Sequence, residues 1–180
     1  MKKVIGYFLL LGLLISSACQ KEETAAPTDF EKGKVLIGFK DGTPIEKAFR
    51  LADSLQLPIT QMNGFFYRTT LPNDSLAYIK RVLATKPYLT QNNVSWVEAR
   101  LNVVNNTVEV LNTFFDMDAA SQQDWLITKQ QLQLVPLPTT TAYVALKVPD
   151  GQEQEWLLKL SRSSLVKWAE LNKYSQISLH

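Results

Sequence analysis

The side chains that carry out most protein chemistry are scarce in this sequence: one histidine, His180, which is the final residue, and one cysteine, Cys19. A His/Cys zinc site, a disulfide framework and an internal Ser-His or Cys-His pair all need more than that. Asp116 and Asp118 are spaced like paired carboxylates or the opening of a calcium loop. No glycine follows at the calcium-loop position, and the pair falls where a helix begins, so both are expected to cap it. Asp150-Gly151 stands before a helix in the same way. Gly33, Gly38, Gly42, Gly64 and Gly151 are scattered singly, which gives no phosphate-cradling loop. No Gly-x-Ser-x-Gly elbow surrounds any serine. Trp125, Trp156 and Trp168 could form an aromatic ligand patch, yet Trp125 and Trp156 fall in amphipathic segments and read as packing residues. The expectation is a protein that is not an enzyme, with no cofactor and no bound metal.

Composition agrees. Of 180 residues, 46% are hydrophobic and 20% charged, which suits a globular chain. Lys and Arg number 19 against 17 Asp and Glu. Lys2 and Lys3 lie in a segment expected to be removed, which leaves the mature chain formally neutral. Nucleic-acid binding is therefore not expected, because its affinity comes from Lys and Arg set against phosphates.

Lys2 and Lys3 precede an apolar run from Val4 to Ile15, followed by Ser16, Ser17, Ala18 and Cys19. A charged start, a short apolar stretch and small residues make a signal peptide over 1–18. The run is shorter than the about 20 residues a membrane-spanning helix needs. Cys19 directly after Ala18 resembles the bacterial lipoprotein signal, in which that thiol is acylated and becomes the new N-terminus; Ser16 stands where leucine is usual. The resemblance implies a lipid-anchored protein of the cell envelope, on the outer membrane and in some cases at the surface. Each buried acyl methylene contributes about 0.8 kcal/mol to such an anchor. Residues 19–33 are polar and read as a tether spanning about 20 Å. Glu22 and Glu23 resemble a surface-export signal of Bacteroidetes lipoproteins, and they equally suit a solvated linker.

The remainder is duplicated. Val35, Leu36, Phe39 and Asp41 return 75 positions later as Val110, Leu111, Phe114 and Asp116. Leu55, Gln56 and Leu57 return after 77 as Leu132, Gln133 and Leu134, and Val94, Trp96 and Glu98 return after 72 as Val166, Trp168 and Glu170. In the first copy, a β-rich run at Val35–Lys40 precedes Ile45, Ala48, Phe49, Ala52 and Leu55 at helical spacing. Ile59–Met62 meets Asn63-Gly64, and Phe65, Tyr67, Thr69 and Leu71 then alternate, which predicts a hairpin. Leu76, Ile79, Val82 and Leu83 share a helical face, and a final strand covers Val94 to Arg100. The second copy repeats the order, with Ala142, Val144, Leu146 and Val148 as its alternating run. The predicted fold class is α+β: two ferredoxin-like βαββαβ repeats over 34–100 and 108–172, each a four-stranded antiparallel sheet with two helices on one face. A short join at Leu101–Thr107 implies that the halves pack together.

The end strands Val94, Trp96, Val97, Glu98 and Val166, Trp168, Ala169, Glu170, Asn172, with the preceding element order, resemble the propeptides of subtilisin-like proteases and their free-standing inhibitor relatives. Tryptophan stands where that family commonly has tyrosine. The resemblance implies that an open sheet face docks on a secreted subtilisin-like protease, that Glu170 caps protease helices, and that the tail after it enters the cleft like a product. The partner-binding residues it implies are Glu170, Asn172, Tyr174, Ser175, Gln176, Ile177, Ser178, Leu179 and His180, with 173–180 as the tail. No protease domain follows, and only the second copy has a free tail. The other reading is a surface lipoprotein with a structural role or another partner.

Replacing Cys19 by Ser tests the anchor. The parent is expected in the membrane fraction and Cys19→Ser in the soluble fraction; equal membrane association of the two would remove the lipid from the account.

Overall fold

A computed structural model describes residues 30–138 and 142–173. In chain order these form β1 (Phe30–Phe39), α1 (Ile45–Ser54), β2 (Ile59–Asn63), β3 (Tyr67–Thr69), α2 (Leu76–Ala84), β4 (Thr90–Gln91), β5 (Val94–Ser95), β6 (Val97–Asn102), β7 (Thr107–Phe115), α3 (Ala119–Gln131), β8 (Leu134–Pro136), β9 (Tyr143–Lys147), α4 (Glu153–Ser161) and β10 (Val166–Lys173). The chain is thus α+β, with a large antiparallel sheet and, among the described residues, four α-helices. The predicted order of elements is present in both copies. The predicted lipid anchor, most of the tether and the tail after Lys173 lie outside the described residues.

Local chemistry accounts for the elements. Ile45, Ala48, Phe49 and Ala52, spaced along one side of α1, are its buried residues. Past its end Gln56 takes a left-handed φ of 54°, and the Leu57 N–H returns to the Ala52 carbonyl at 3.0 Å, which satisfies a helix-end acceptor. Gln133, the equivalent residue 77 positions later, has φ 50° past the end of α3, so the duplication extends to backbone conformation. Asp118 caps α3 by accepting from the Ser121 N–H at 2.8 Å, which holds its carboxyl below the usual range. At the start of α4 the buried Glu153 accepts the Gly33 N–H at 2.7 Å, and that bond chiefly keeps its carboxyl low.

The strands do not pair as expected. The Asn63-Gly64 hairpin is absent: β2 and β3 instead run on along the same neighbour, β7, with Asn63 opposite Thr113 and Tyr67 opposite Val110. Four steps on one strand face three on the other, which is a β-bulge. The reason is conformational. A two-residue Asn-Gly hairpin turn needs positive φ at both residues, and here only Gly64, at 80°, has it. The tight hairpin lies at the predicted join instead, where Leu101 pairs with Val108 and Asn102 with Thr107. Asn102 Oδ1 accepts the N–H groups of Val104 and Asn105 at its apex.

Because the chain runs straight on, neither copy closes its own four-stranded sheet. The pairing β10-β1-β9-β2 takes two strands from each copy, and so does β6-β7-β3-β8; β2 alongside β7 joins the two sets. The last strand of each copy lies on the first strand of the other, in equivalent register. Leu36 faces Glu170, and Leu111 faces Glu98.

One side of this sheet carries the core: Val35, Ile37, Met62, Val144, Leu146 and Phe114 are buried there. Trp125 of α3 is fully buried, its ring centroid 4.7 Å from Phe114 and 5.5 Å from Tyr67. The first helices of the two copies meet directly. Lys129 of α3 pairs with Glu46 of α1, and the Gln122 amide reaches Asp53 at 3.3 Å. Burial works against the Glu46 carboxylate, and the Lys129 contact, a backbone hydrogen bond and nearby Arg50 together outweigh it and hold that carboxyl below its ordinary range.

Asn112, the counterpart of Ile37, is 3% exposed and neither atom of its amide has a protein partner. An unsatisfied buried amide costs about 1–3 kcal/mol. Asn112→Val is therefore expected to raise the denaturation midpoint, measured by circular dichroism; a fall would show that the amide is held by a buried water.

Candidate functional site: the second face of the sheet

Successive residues of a strand point to opposite faces, so the side chains opposite the core form a second surface. One cross-strand row runs across it: Trp168 faces Gly38, Gly38 faces Tyr143, Tyr143 faces Asn63, Asn63 faces Thr113, and the Thr113 N–H donates to the Trp96 carbonyl at 2.9 Å. Five inter-strand steps separate the two tryptophans by about 24 Å at the usual spacing. The ends of the row are equivalent in the duplication, since Trp96 and Trp168 are 72 positions apart and Thr113 and Gly38 are 75 apart.

The indoles are the largest exposed side chains of the row, Trp96 at 49% and Trp168 at 38%. Each rests on a small or flat neighbour. Trp168 lies over Gly38, where a Cβ would collide with three atoms of its ring, so the glycine in mid-strand is a seat for the indole. Trp96 meets Phe115 edge to face at 5.8 Å. Beside Trp96 is a cleft of about 320 Å³ lined by Asn63, Phe66, Glu98, Leu111 and Thr113 among others. Its size is at the low end for ligand sites, enough for a protruding side chain.

Two residues beyond each indole, on the same face, stands an exposed carboxylate. Glu98 has Arg100 at 3.8 Å. Glu170 has no ion pair among the described residues, and Lys34, two residues from the Leu36 that faces it, is engaged with Glu31 at 2.6 Å. Asn172 is spent within the protein, its amide donating to Glu31 at 2.7 Å. Cys19 and the residues Tyr174, Ser175, Gln176, Ile177, Ser178, Leu179 and His180 lie outside the described residues, so of the expected binding set the structure places Glu170 and Asn172 alone.

The other candidates fall into structural places. Asp118 is a helix cap. Asp116 precedes it with a left-handed φ of 47°. The Asp150 carboxylate lies within 2.6 Å of where a Gly33 Cβ would be, which keeps that position a glycine. Trp125 is core, and Trp156 is half-buried on α4 with the Lys159 ammonium 4.2 Å from its ring centroid. A Tyr88–Asp124–Lys86 cluster brings a phenol within 2.6 Å and an ammonium within 2.9 Å of one carboxylate. It ties α3 to the Pro87–Leu89 turn, and burial pushes the Tyr88 phenol up. Among the described residues no three His, Cys, Asp or Glu side chains gather closely enough to hold a metal, and no helix is long and apolar enough to cross a membrane. Trp96 and Glu98 were not expected as site residues; their recurrence as Trp168 and Glu170 was the sequence signal for them.

Comparison with protein-family models, with curated proteins and with solved structures finds no match.

Gly38→Ala tests the seat beneath Trp168. The added methyl is expected to lift the indole off the strand, seen as a red-shifted, more quencher-accessible share of the tryptophan emission, with that share absent in Gly38→Ala carrying Trp168→Ser. An unchanged spectrum would place the indole elsewhere.

Proposed function

We propose that this chain is a lipid-anchored, non-enzymatic binding protein of the cell envelope, and that it docks its partner on the face of its sheet opposite the core. The observation that carries the reading is the pair of half-exposed indoles at equivalent ends of one cross-strand row. Tryptophan dominates binding hot spots, and exposing two of them on a rigid sheet is costly for a protein with no partner. In β10-β1-β9-β2 and in β6-β7-β3-β8 the strand order is that of a ferredoxin-like unit. The second unit is continuous in sequence and sits between strands two and three of the first.

The most concrete partner is a secreted subtilisin-like protease, in line with the resemblance of the end strands to propeptides of that family. Glu170, exposed on the face and free of an ion pair among the described residues, is available to donors of such a partner, and the chain continues past Lys173. A second reading, a surface lipoprotein with another protein partner, is favoured by one observation: the indole row runs through both copies, whereas a product-like tail involves only the second.

The test uses the mature chain carrying Cys19→Ser against a panel of secreted subtilases, reading residual activity against inhibitor concentration. Dose-dependent inhibition is expected, weakened about tenfold or more by Trp96→Ser with Trp168→Ser. Deleting Tyr174–His180 is expected to weaken it sharply while leaving the circular dichroism spectrum intact. No inhibition by the parent, or equal inhibition without the tail, would leave the other-partner reading in place.

A further inference from the structure

The docking face contains the same small arrangement twice, and its chemistry points to what it holds. Trp168 and Glu170 are two residues apart on β10, with Gly38 and Leu36 directly opposite them on β1. Trp96 and Glu98 are two apart across the start of β6, with Thr113 and Leu111 directly opposite on β7. Side chains two apart on a strand share a face and stand about 7 Å from each other along it. Each arrangement is therefore an indole surface with a carboxylate at its margin. Trp168 is laid over a glycine and remains 38% exposed, so part of its indole is open to a partner.

We propose that these are two equivalent subsites for a basic side chain, arginine above lysine, borne by the protein partner. The inference rests on the docking-face reading and supplies the chemistry of its occupant. Charge complementarity and ring geometry together select the ligand. An indole attracts a cation over its face, and a carboxylate at its margin accepts hydrogen bonds from that same cation. A guanidinium satisfies both at once, because its planar fork stacks on a ring while its edge meets a carboxylate; an ammonium is a compact point charge that cannot stack. An anion would be repelled by both carboxylates, and a neutral apolar group would leave them desolvated without a partner.

The two subsites also differ in their charged neighbours. Arg100, at 3.8 Å from Glu98, already offers a guanidinium at the Trp96 end and competes there. At the other end Glu170 has no ion pair among the described residues, and Lys34 is held by Glu31 at 2.6 Å, so Glu170 is left for an incoming group. The Trp168 subsite is thus the tighter one, and Arg100→Ala should bring the Trp96 subsite toward it. The subsites are about 24 Å apart along a sheet whose strands each rotate by about 20–25° relative to the next. They face different directions, and a partner that fills both must curve around the sheet or present two separate segments.

The experiment is a titration of the mature Cys19→Ser chain with N-acetyl-arginine amide, with the isosteric uncharged N-acetyl-citrulline amide as control, followed by NMR at the indole N–H resonances. Saturable shifts are expected at Trp96 and Trp168, with Trp125 unmoved and citrulline without effect. Glu170→Gln should weaken the Trp168 response about fivefold or more and leave Trp96 as it was, and Glu98→Gln should do the converse, as befits loss of a charge-assisted bond at one of two separate sites. Absence of a saturable shift, an equal response to citrulline, or indifference to both Glu variants would overturn the proposal. The docking-face reading has its own readout in the same samples: if Trp96→Ser with Trp168→Ser abolishes capture of a protease or other protein partner while arginine has no effect, the face stands and only its basic occupant falls.

Discussion

The bulge between Asn63 and Tyr67 is the constraint on which the rest of the structure depends. Had the chain reversed at Gly64, β3 would have folded back on β2 and each copy would have closed on itself. Held extended by the negative φ of Asn63, it passes instead to the other half of the sheet, and β2 and β3 become parts of one bent strand along β7. The last strand of each copy then has no partner within its own copy and takes the first strand of the other. That is why Trp168 finds Gly38, why Trp96 finds Thr113, and why a single face carries both. The bulge thus acts at the level of backbone conformation and has its consequence in which side chains share a surface.

Joining the copies in this way also shapes the energetics. Strands are exchanged, so the core is common to both halves: Phe114 of the second copy packs on Trp125 of its own copy, and Tyr67 of the first packs on that same indole. Contacts between α1 and α3 add a charged pair whose partners are partly covered, where screening is less than at an open surface. Loss of any one of these loosens both halves, and cooperative unfolding of the described residues as one unit is the natural outcome. Against that background Asn112 stands out, a buried polar group in a position that the other copy fills with Ile37.

Much of this was legible in the sequence, and the rest was hidden for a physical reason. Helical spacing at Ile45, Ala48, Phe49 and Ala52 and alternation at Tyr67 and Thr69 report which side of each element is apolar, and those elements form where the pattern lies. Periodicity carries no information on which strand an apolar face will meet. The chain is four βαβ segments in series, and any two consecutive ones read as βαββαβ, so the frame of pairing is left open by the pattern. Asn63-Gly64 pointed to the wrong frame because its dipeptide suits a hairpin turn and a glycine bulge alike. The candidate site followed the same division. Glu170 was expected through its end strand, and the recurrence of Trp96 and Glu98 as Trp168 and Glu170 was visible in the sequence; that both pairs lie on one continuous face followed only from the exchange of strands.

The account therefore turns on β1 lying beside β9. Leu36 and Ala145 are directly opposed in that pairing. Cysteines at directly opposed sheet positions come within the range that a disulfide spans. In the Cys19→Ser background, Leu36→Cys with Ala145→Cys is expected to form an intramolecular disulfide on mild oxidation, seen as a faster-migrating monomer that reverts on reduction. If that pair stays reduced while Leu36→Cys cross-links instead to Arg68→Cys on β3, the copies close separately and the exchange is contradicted.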